Sequence, residues 1–437
     1  MISLPTRSLC RFTRSFATTL HPSPSIISTN QSNSGLKVLS THDNSKLTSS
    51  ISLFVKAGSR HEPSPGLAHL LKNMLFKSTE NRSALRLIRE TELLGGVLTT
   101  SLSREHLILN AEFLKGQENY FIQVLADVLT SSKFSRHEFN EEALPGTLAE
   151  SNQAQSDSMI LAIDCAHQLA FRKGLGNSLF ADPSLPVSHD SAVEFARSSF
   201  ANLNQHSIVA TGIDPEKLLG LVNEFFAPSS SSISTTSVSS SKSSYHGGDI
   251  RLTSHAADTF LLAFKGAQNS NQPEFTVLQH LLGSNPVLVK WSHGPSPLSS
   301  LPVKTFHFPY SDNGLFGFVV KAEGSHAHQV ASKALAELKK VADGNAIDKE
   351  AVDRAASKAQ FLVASSLESN ILKTESLGIQ SLTTNTSPQG IQDLYSSYAQ
   401  VTPDKVIQAA KSALNSRPTV VAVGNTKELP YAEDLGF

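Results

Sequence analysis

The sequence predicts an α+β protein built from two homologous domains, each a mixed β-sheet with helices packed on one face, joined by a Ser-rich linker. Three observations predict this fold class: the chain length, a low-complexity segment near the middle, and an order of elements that occurs twice. The 437 residues exceed the size of about 250–300 residues at which single hydrophobic cores stop growing. Hydrophobic residues make up 39% and charged residues 17%, a composition that favours a folded globular chain over a disordered one.

The low-complexity segment divides the chain into two halves of similar length. Residues 228–244 read PSSSSISTTSVSSSKSS. Ser-rich segments bury too little apolar area to offset the entropy that a chain loses on folding, so they act as flexible linkers. We therefore expect a first domain over residues 30–227, a linker over 228–245 and a second domain over 246–437.

The two halves repeat one order of elements: strand, helix, strand, helix, helix. Strands are predicted from short apolar runs rich in β-branched and aromatic residues, and helices from apolar residues that recur at helical spacing. A chain that repeats a whole supersecondary order predicts two related domains, each with helices covering its sheet. The clearest pairs are the strands Ile51–Ala57 and Thr259–Lys265, the helices Gly66–Lys77 and Pro273–Gly283, the strands Leu107–Leu114 and Leu315–Ala322, and the helices Ser135–Glu150 and Asp348–Val363.

Residues 1–16, MISLPTRSLCRFTRSF, predict a mitochondrial transit peptide. They contain Arg7, Arg11 and Arg14 among apolar and hydroxyl residues, and the first acidic residue of the chain is Asp43. The arginines interrupt the unbroken apolar core that a secretory signal needs, whereas an amphipathic, acid-free leader is typical of mitochondrial import. The alternative is an unstructured basic tail. No apolar run in the sequence approaches the ~20 residues that span a bilayer, so we expect any membrane association to be peripheral or to come through a partner.

Several function classes lack their sequence signatures. The formal net charge is −1, so no basic field attracts nucleic acid. The phosphate-binding motifs G-x-x-x-x-G-K-[ST] and G-x-G-x-x-G after a strand are absent, as is the G-x-S-x-G nucleophile turn. The two cysteines, Cys10 and Cys165, have neither disulfide-framework nor metal-site spacing.

Residues 66–79, GLAHLLKNMLFKST, resemble the signature helix of the pitrilysin-like zinc peptidases, family M16. That signature is H-x-x-E-H. Its two histidines lie four residues apart on one helix face and hold one Zn²⁺, while the Glu between them takes a proton from metal-bound water. In this chain His69 matches the first ligand, but Lys72 replaces the catalytic Glu and Asn73 replaces the second His.

The resemblance implies a degenerate site. The family takes its third zinc ligand, a Glu, from a helix further along the chain, and Glu150 falls close to that position. His69 and Glu150 supply fewer than the three protein ligands of a catalytic zinc site. Protonated Lys72 would add positive charge beside a metal and cannot act as a general base. We therefore expect no catalytic residue, no bound metal and no cofactor, with His69 as a structural or solvent-facing residue.

Four separated segments resemble one non-catalytic branch of this family, the core subunits of the mitochondrial cytochrome bc1 complex. Each segment also has a plain structural interpretation; Asp312-Asn313-Gly314, for example, predicts a tight turn between strands. The four segments are AHLLKNMLF at Ala68–Phe76, GLGNSLFADP at Gly174–Pro183, VLQHLLGSNPVLVK at Val277–Lys290 and YSDNGLFGF at Tyr310–Phe318.

The resemblance implies a structural subunit, peripheral to the inner mitochondrial membrane on its matrix side, that supports electron transfer from ubiquinol to cytochrome c. The implied partners are the other core subunit, cytochrome b, cytochrome c1 and the iron–sulfur protein, with no nucleic acid and no small-molecule substrate. The alternative is a non-catalytic, presequence-binding subunit of the mitochondrial processing peptidase. That subunit has a long glycine-rich loop early in its second domain, whereas residues 277–300 contain only Gly283 and Gly294.

Overall fold

The computed structural model describes residues 27–41, 46–185, 187–226, 242–254, 257–268, 273–283, 294–345, 347–383 and 388–437. The predicted transit peptide, the predicted linker as far as residue 241, and residues 284–293 of the segment 277–300 lie outside this description. None of the helices found in the described ranges is long and apolar enough to cross a membrane.

The first half forms a six-stranded mixed sheet. Its strand order is β1-β2-β6-β3-β5-β4. The pair β2–β6 is parallel, and the other neighbours are antiparallel. The strands are β1 (Ile27–Gln31), β2 (Lys37–Thr41), β3 (Thr48–Val55), β4 (Val97–Leu102), β5 (Leu107–Leu114) and β6 (Ser207–Thr211).

The second half repeats this topology in five strands. Its order is β7-β11-β8-β10-β9, with β7–β11 parallel and the other neighbours antiparallel. This order matches β2-β6-β3-β5-β4 strand for strand, so the predicted fold class, two related α+β units with mixed sheets, is confirmed. The strands are β7 (Gly248–Thr253), β8 (Thr259–Lys265), β9 (Val303–Pro309), β10 (Gly314–Lys321) and β11 (Thr419–Gly424).

Helices cover both sheets. Those of the first half are α1 (Leu67–Met74), α2 (Ala84–Leu93), α3 (Glu118–Thr130), α4 (Arg136–Glu138), α5 (Leu144–Ser156), α6 (Ser158–Phe171), α7 (His189–Phe200) and α8 (Pro215–Phe225). Those of the second half are α9 (Pro273–Leu282), α10 (Gly324–Asp343), α11 (Lys349–Leu367), α12 (Asn370–Thr383), α13 (Ile391–Ala399) and α14 (Pro403–Leu414).

The helix predicted over Ser135–Glu150 is interrupted and longer than expected. A π-helical turn, Phe139–Ala143, separates α4 from α5, and α5 continues to Ser156. Pro145 in the first turn of α5 has no N–H group, so the regular hydrogen-bond ladder cannot continue through it. The wider turn lets the amide of Leu144 reach the carbonyl of Phe139 instead.

Each sheet has one face covered by helices of its own half and the other by a helix of the opposite half. In β3, Ile51 and Leu53 pack in the core of the first half, whereas Phe54 packs on the opposite face with Leu377 of α12. Helix α6 of the first half likewise packs on the second sheet, where Ala166 lies in one cluster with residues of β8 and β11. The helices predicted on one face are those of the same half, and this exchange of helices covers the other face.

The halves also meet at a buried ionic cluster, the interdomain junction, formed by Arg60, Glu105, Ser243, Ser311 and Asp312. Arg60 Nη1 lies 2.9 Å from both Glu105 Oε1 and Asp312 Oδ1, and the Arg60 side chain is only 5% exposed. The amide of Ser311 donates to Glu105 Oε2 at 3.1 Å, and the amide of Ser243 donates to Asp312 Oδ2 at 2.7 Å. The predicted turn between β9 and β10 therefore inserts into the first half.

Candidate functional site

Helix α1 presents the residues of the degenerate motif. Its apolar residues Leu67, Leu70, Leu71 and Met74 are buried against the first sheet, which fixes the rotation of the helix. Gly66 precedes α1 with φ of +88°, a conformation that favours glycine, and a Cβ there would lie 2.8 Å from that of Ala181. The start of α1 is therefore held closely against the segment around residue 181.

A buried carboxyl group accepts hydrogen bonds at the start of α1. The amide of Ala68 donates to Glu62 Oε2 at 3.0 Å. Burial raises the pKa of Glu62 to about 8, although these backbone hydrogen bonds oppose the rise. Glu62 therefore caps the start of α1, a role that no motif in the sequence marks.

The structure brings the four residues of the predicted degenerate site together. His69 and Lys72, one turn apart on α1, both point at Glu150 of α5. His69 Nε2 lies 2.7 Å from Glu150 Oε2, and Lys72 Nζ lies 2.6 Å from the same oxygen. Asn73 Nδ2 lies 3.5 Å from that oxygen and donates to Thr147 Oγ1 at 2.9 Å. One carboxylate oxygen thus receives donors from three side chains of α1.

The imidazole of His69 is buried and held on both sides. Its Nδ1 accepts a hydrogen bond from the amide of Ala181 at 3.1 Å, and Phe180 contacts the ring edge-on. Burial lowers the pKa of His69, and the hydrogen bond to Glu150 only partly opposes this. A neutral ring that accepts at Nδ1 has its proton on Nε2, so Nε2–H donates to Glu150.

The contacts at this site favour the ionised form of Glu150. Burial alone would raise the pKa of Glu150, but hydrogen bonds from Lys72 and His69 outweigh it and lower the pKa. The Glu150 side chain is 42% exposed and that of Lys72 is 17% exposed, so water partly screens the pair. The arrangement is a solvent-edged ion pair that connects α1 to α5.

These residues do not fit a zinc ion. The ammonium of Lys72 lies against the carboxylate oxygen that a metal would need, and the amide of Asn73 stands where the family has a second imidazole. The nitrogen of His69 that faces Glu150 bears a proton rather than a free lone pair. Across the described ranges, no group of three or more His, Cys, Asp or Glu residues is arranged to hold a metal ion.

A second cluster of titratable groups, which no sequence motif marks, lies near the interdomain junction. His61, His106 and His206 are buried close to Lys56. The amide of Lys56 donates to His206 Nδ1 at 3.4 Å. Burial is the main cause that lowers the pKa of these groups, to about 3 for His61 and about 4 for His106 and His206. For His61 and His106 the positive charge of Lys56 is the second cause. All three side chains are neutral in the folded protein at neutral pH.

Comparison with known families agrees with the predicted resemblance. Residues 37–183 match the family described as Insulinase (Peptidase family M16), and residues 186–359 match the Peptidase M16 inactive domain. The matched residues include the site on α1 and α5, and they extend from the first sheet into α11 of the second half.

Individual relatives cover both halves. A protein of Cryptococcus neoformans named "Cytochrome b-c1 complex subunit 2, mitochondrial" is 40% identical over 403 residues, 89% of this chain and 90% of the relative. A protein of the same name from Neurospora crassa is 35% identical over 421 residues, 92% and 90% of the two chains. The mitochondrial-processing peptidase subunit alpha of Solanum tuberosum is 28% identical over 417 residues, 91% and 81% of the two chains.

Proposed function

This chain belongs to peptidase family M16, and from that premise we propose that it serves as the non-catalytic core subunit 2 of the mitochondrial cytochrome bc1 complex, respiratory complex III. The observation that carries the proposal is 40% identity to a named subunit 2 over nine-tenths of both chains. The similarity to a processing-peptidase subunit is weaker, at 28% identity. In this role the chain supports the assembly and stability of the machinery that transfers electrons from ubiquinol to cytochrome c.

The chain is not a peptidase. Hydrolysis by the family mechanism needs a metal-activated water and a carboxylate that takes its proton. Lys72, in contact with the Glu150 carboxylate, is an ammonium and has no lone pair to accept that proton. The motif helix therefore keeps a structural role, because its ion pair connects α1 to α5.

We propose core protein 1, cytochrome b, cytochrome c1 and the iron–sulfur protein as the partners, with the chain peripheral to the inner membrane on its matrix side. Protease treatment of mitoplasts tests the orientation, because a matrix-side subunit stays intact until the inner membrane is opened. Cleavage of the chain in sealed mitoplasts would contradict the matrix-side placement.

Affinity purification from detergent-solubilised mitochondrial membranes tests the assembly. A tagged chain should recover cytochrome b, cytochrome c1, the iron–sulfur protein and core protein 1 in fixed ratio, with ubiquinol–cytochrome c reductase activity. The alternative, a presequence-binding subunit of the processing peptidase, predicts recovery from the soluble matrix with an H-x-x-E-H partner and presequence cleavage. A tagged H-x-x-E-H subunit from the same organelle is the matched control for that second outcome.

A further inference from the structure

We infer that restoring the two missing residues of the motif would leave zinc binding weaker than in an active member of the family, because the backbone amide of Ala181 holds His69 in the tautomer that has its proton on the nitrogen a metal would need. This inference concerns the fold around α1 and does not depend on the assembly proposed above.

The tautomer follows from two contacts on opposite sides of one ring. The amide of Ala181 can only donate, so His69 Nδ1 must accept, at 3.1 Å. The carboxylate of Glu150 can only accept, so His69 Nε2 must donate, at 2.7 Å. The side chain is 3% exposed, so water does not offer the ring other partners.

A metal at Nε2 would require the opposite tautomer. Ligand histidines donate their second N–H to a carboxylate, a carbonyl or water, which leaves the first nitrogen free to bind the metal. In this chain the second nitrogen faces an N–H group instead, so moving the proton to Nδ1 would set two donors against each other. Ala181 lies against Gly66 at the start of α1, where a Cβ would come within 2.8 Å, so the segment that carries this amide is in close contact with the motif helix.

The substitutions Lys72→Glu and Asn73→His would rebuild H-x-x-E-H over residues 69–73 without changing this contact. The contact comes from backbone, which no side-chain substitution on α1 removes. Loss of a correct outer partner typically weakens metal binding by about 10- to 100-fold. We therefore expect the double variant to bind zinc at least about tenfold more weakly than an active M16 peptidase that carries the same motif.

Nitrogen NMR of the full-length wild-type chain tests the tautomer directly. The ring of His69, identified by loss of its signals in a His69→Gln variant, should show a protonated Nε2 and an unprotonated Nδ1. His167 is the internal control: its Nδ1 lies 2.7 Å from the carbonyl of Ile163 and its Nε2 lies 2.9 Å from the Tyr310 hydroxyl, which requires the opposite tautomer. If His69 and His167 show the same tautomer, with the proton on Nδ1, the inference is wrong.

Zinc titration of the double variant tests the consequence. The probe is zinc alone, added to the purified full-length Lys72→Glu, Asn73→His chain, with bound metal counted by elemental analysis after dialysis. The active M16 peptidase should retain one zinc per chain under conditions in which the variant retains a small fraction of one. Retention of one zinc per variant chain, with affinity equal to that of the active enzyme, would overturn the inference. Should the variant fail to fold, the wild-type NMR result decides alone.

Discussion

Arg60 links the two halves electrostatically at the interdomain junction. Its guanidinium pairs with Glu105 from its own half and with Asp312 from the other, all three side chains being 14% exposed or less. Removal of one member of a buried ion pair leaves a buried charge without its counter-ion, which is far more costly than loss of a surface pair. The geometry therefore makes a specific prediction about stability.

We expect Arg60→Ala to lower the free energy of unfolding by about 3–5 kcal/mol, because two buried carboxylates lose their cation. The matched control is Arg136→Ala, whose partner Asp190 is 76% exposed and whose own side chain is 74% exposed. That change should have little effect on the free energy of unfolding, because water screens both charges. Urea denaturation of both variants measures the difference, and equal midpoints would show that the junction contributes no more than a surface ion pair.

The buried histidines make stability depend on pH. Their pKa values in the folded protein, about 3 for His61 and about 4 for His106 and His206, lie below the ordinary value of 6.5. Below pH 6.5 the unfolded chain binds protons at these histidines that the folded chain does not bind. The contribution of the three histidines to the free energy of unfolding is therefore fully present above pH 6.5 and is lost as the pH falls towards 4. Each group contributes at most about 1.4 kcal/mol per pH unit within that window.

Denaturation midpoints measured between pH 7 and pH 5 should therefore fall with decreasing pH. In His106→Gln the free energy of unfolding should depend less steeply on pH, by an amount that corresponds to about one proton fewer taken up on unfolding. In His326→Gln, where an exposed residue of α10 is changed, the slope should match the wild type. Identical slopes in all three proteins would mean that burial does not lower the pKa of His106 in the folded protein.

At the residue scale, the sequence predicts the residues of the candidate site but not the groups that lie around them. The H-x-x-E-H comparison identified His69, Lys72 and Asn73, and the family pattern led to Glu150, because side-chain identity and spacing are written in the sequence. The hydrogen bond from Ala181 depends on a main-chain amide, which every residue except proline has, so no residue type marks it. The histidines at positions 61, 106 and 206 come together only through sheet pairing.

At the scale of single elements, α12 is fitted to the first sheet by a glycine. A Cβ on Gly378 would lie 2.0 Å from the ring of Phe54, which is fully buried, so helix and sheet approach too closely for any side chain there. Hydroxyl pairs such as Ser52 with Thr374, 2.6 Å apart, add polar contacts along the same face. The helix therefore depends on small residues where it crosses β3.

We expect Gly378→Ala to destabilise the protein despite the better helix propensity of alanine. Overpacking against a buried ring costs about 1–3 kcal/mol, whereas replacing a helical glycine by alanine contributes about 1 kcal/mol. Gly220→Ala in α8 is the matched control, because nothing lies within 4 Å of its added Cβ, and it should be neutral or stabilising. Thermal melts of the two variants should move in opposite directions, and a stabilised Gly378→Ala protein would contradict the close packing.

Element types were predicted better than their ends or their packing. Strands β5 and β8 begin and end as predicted, because their apolar runs are bounded by clear turn residues. Helix α1 ends at Met74 rather than Lys77, since Leu75 is extended and Phe76 has a positive φ of 53°. The packing of α6 and α12 on the opposite sheet could not be predicted, because apolar periodicity shows that a face is buried but not what it is buried against.

At the scale of the whole molecule, the exchange of α6 and α12 makes each half incomplete without the other. The first half alone would expose Phe54 and Val209, and the second alone would expose Leu261 and Val421, all of which are fully buried in the intact chain. Exposed apolar faces of that kind mark an interaction surface or an unfolded unit. The two halves therefore form one cooperative structure although each has its own sheet.

A divided chain should show this dependence. Fragments 27–226 and 242–437, made separately, should lack a cooperative unfolding transition, and mixing them should restore one in a 1:1 complex. Ala166→Arg in the first fragment should block reassembly, because Ala166 is fully buried where α6 meets the second sheet. Gln168→Arg, on the exposed side of α6, is the control and should reassemble normally. Cooperative folding of either fragment alone would show that the exchanged helices are dispensable.

The exchange of helices also has a consequence for biogenesis. A polypeptide threaded into an organelle from its amino end delivers β3, β5 and β6 long before residues 370–383 arrive to cover them. During that interval an apolar face of the first sheet remains uncovered. Association of this face with another molecule then competes with its correct packing against α12. If this chain is delivered from its amino end, as the predicted transit peptide implies, we expect its exposed strand face to need a holding chaperone until α12 has arrived.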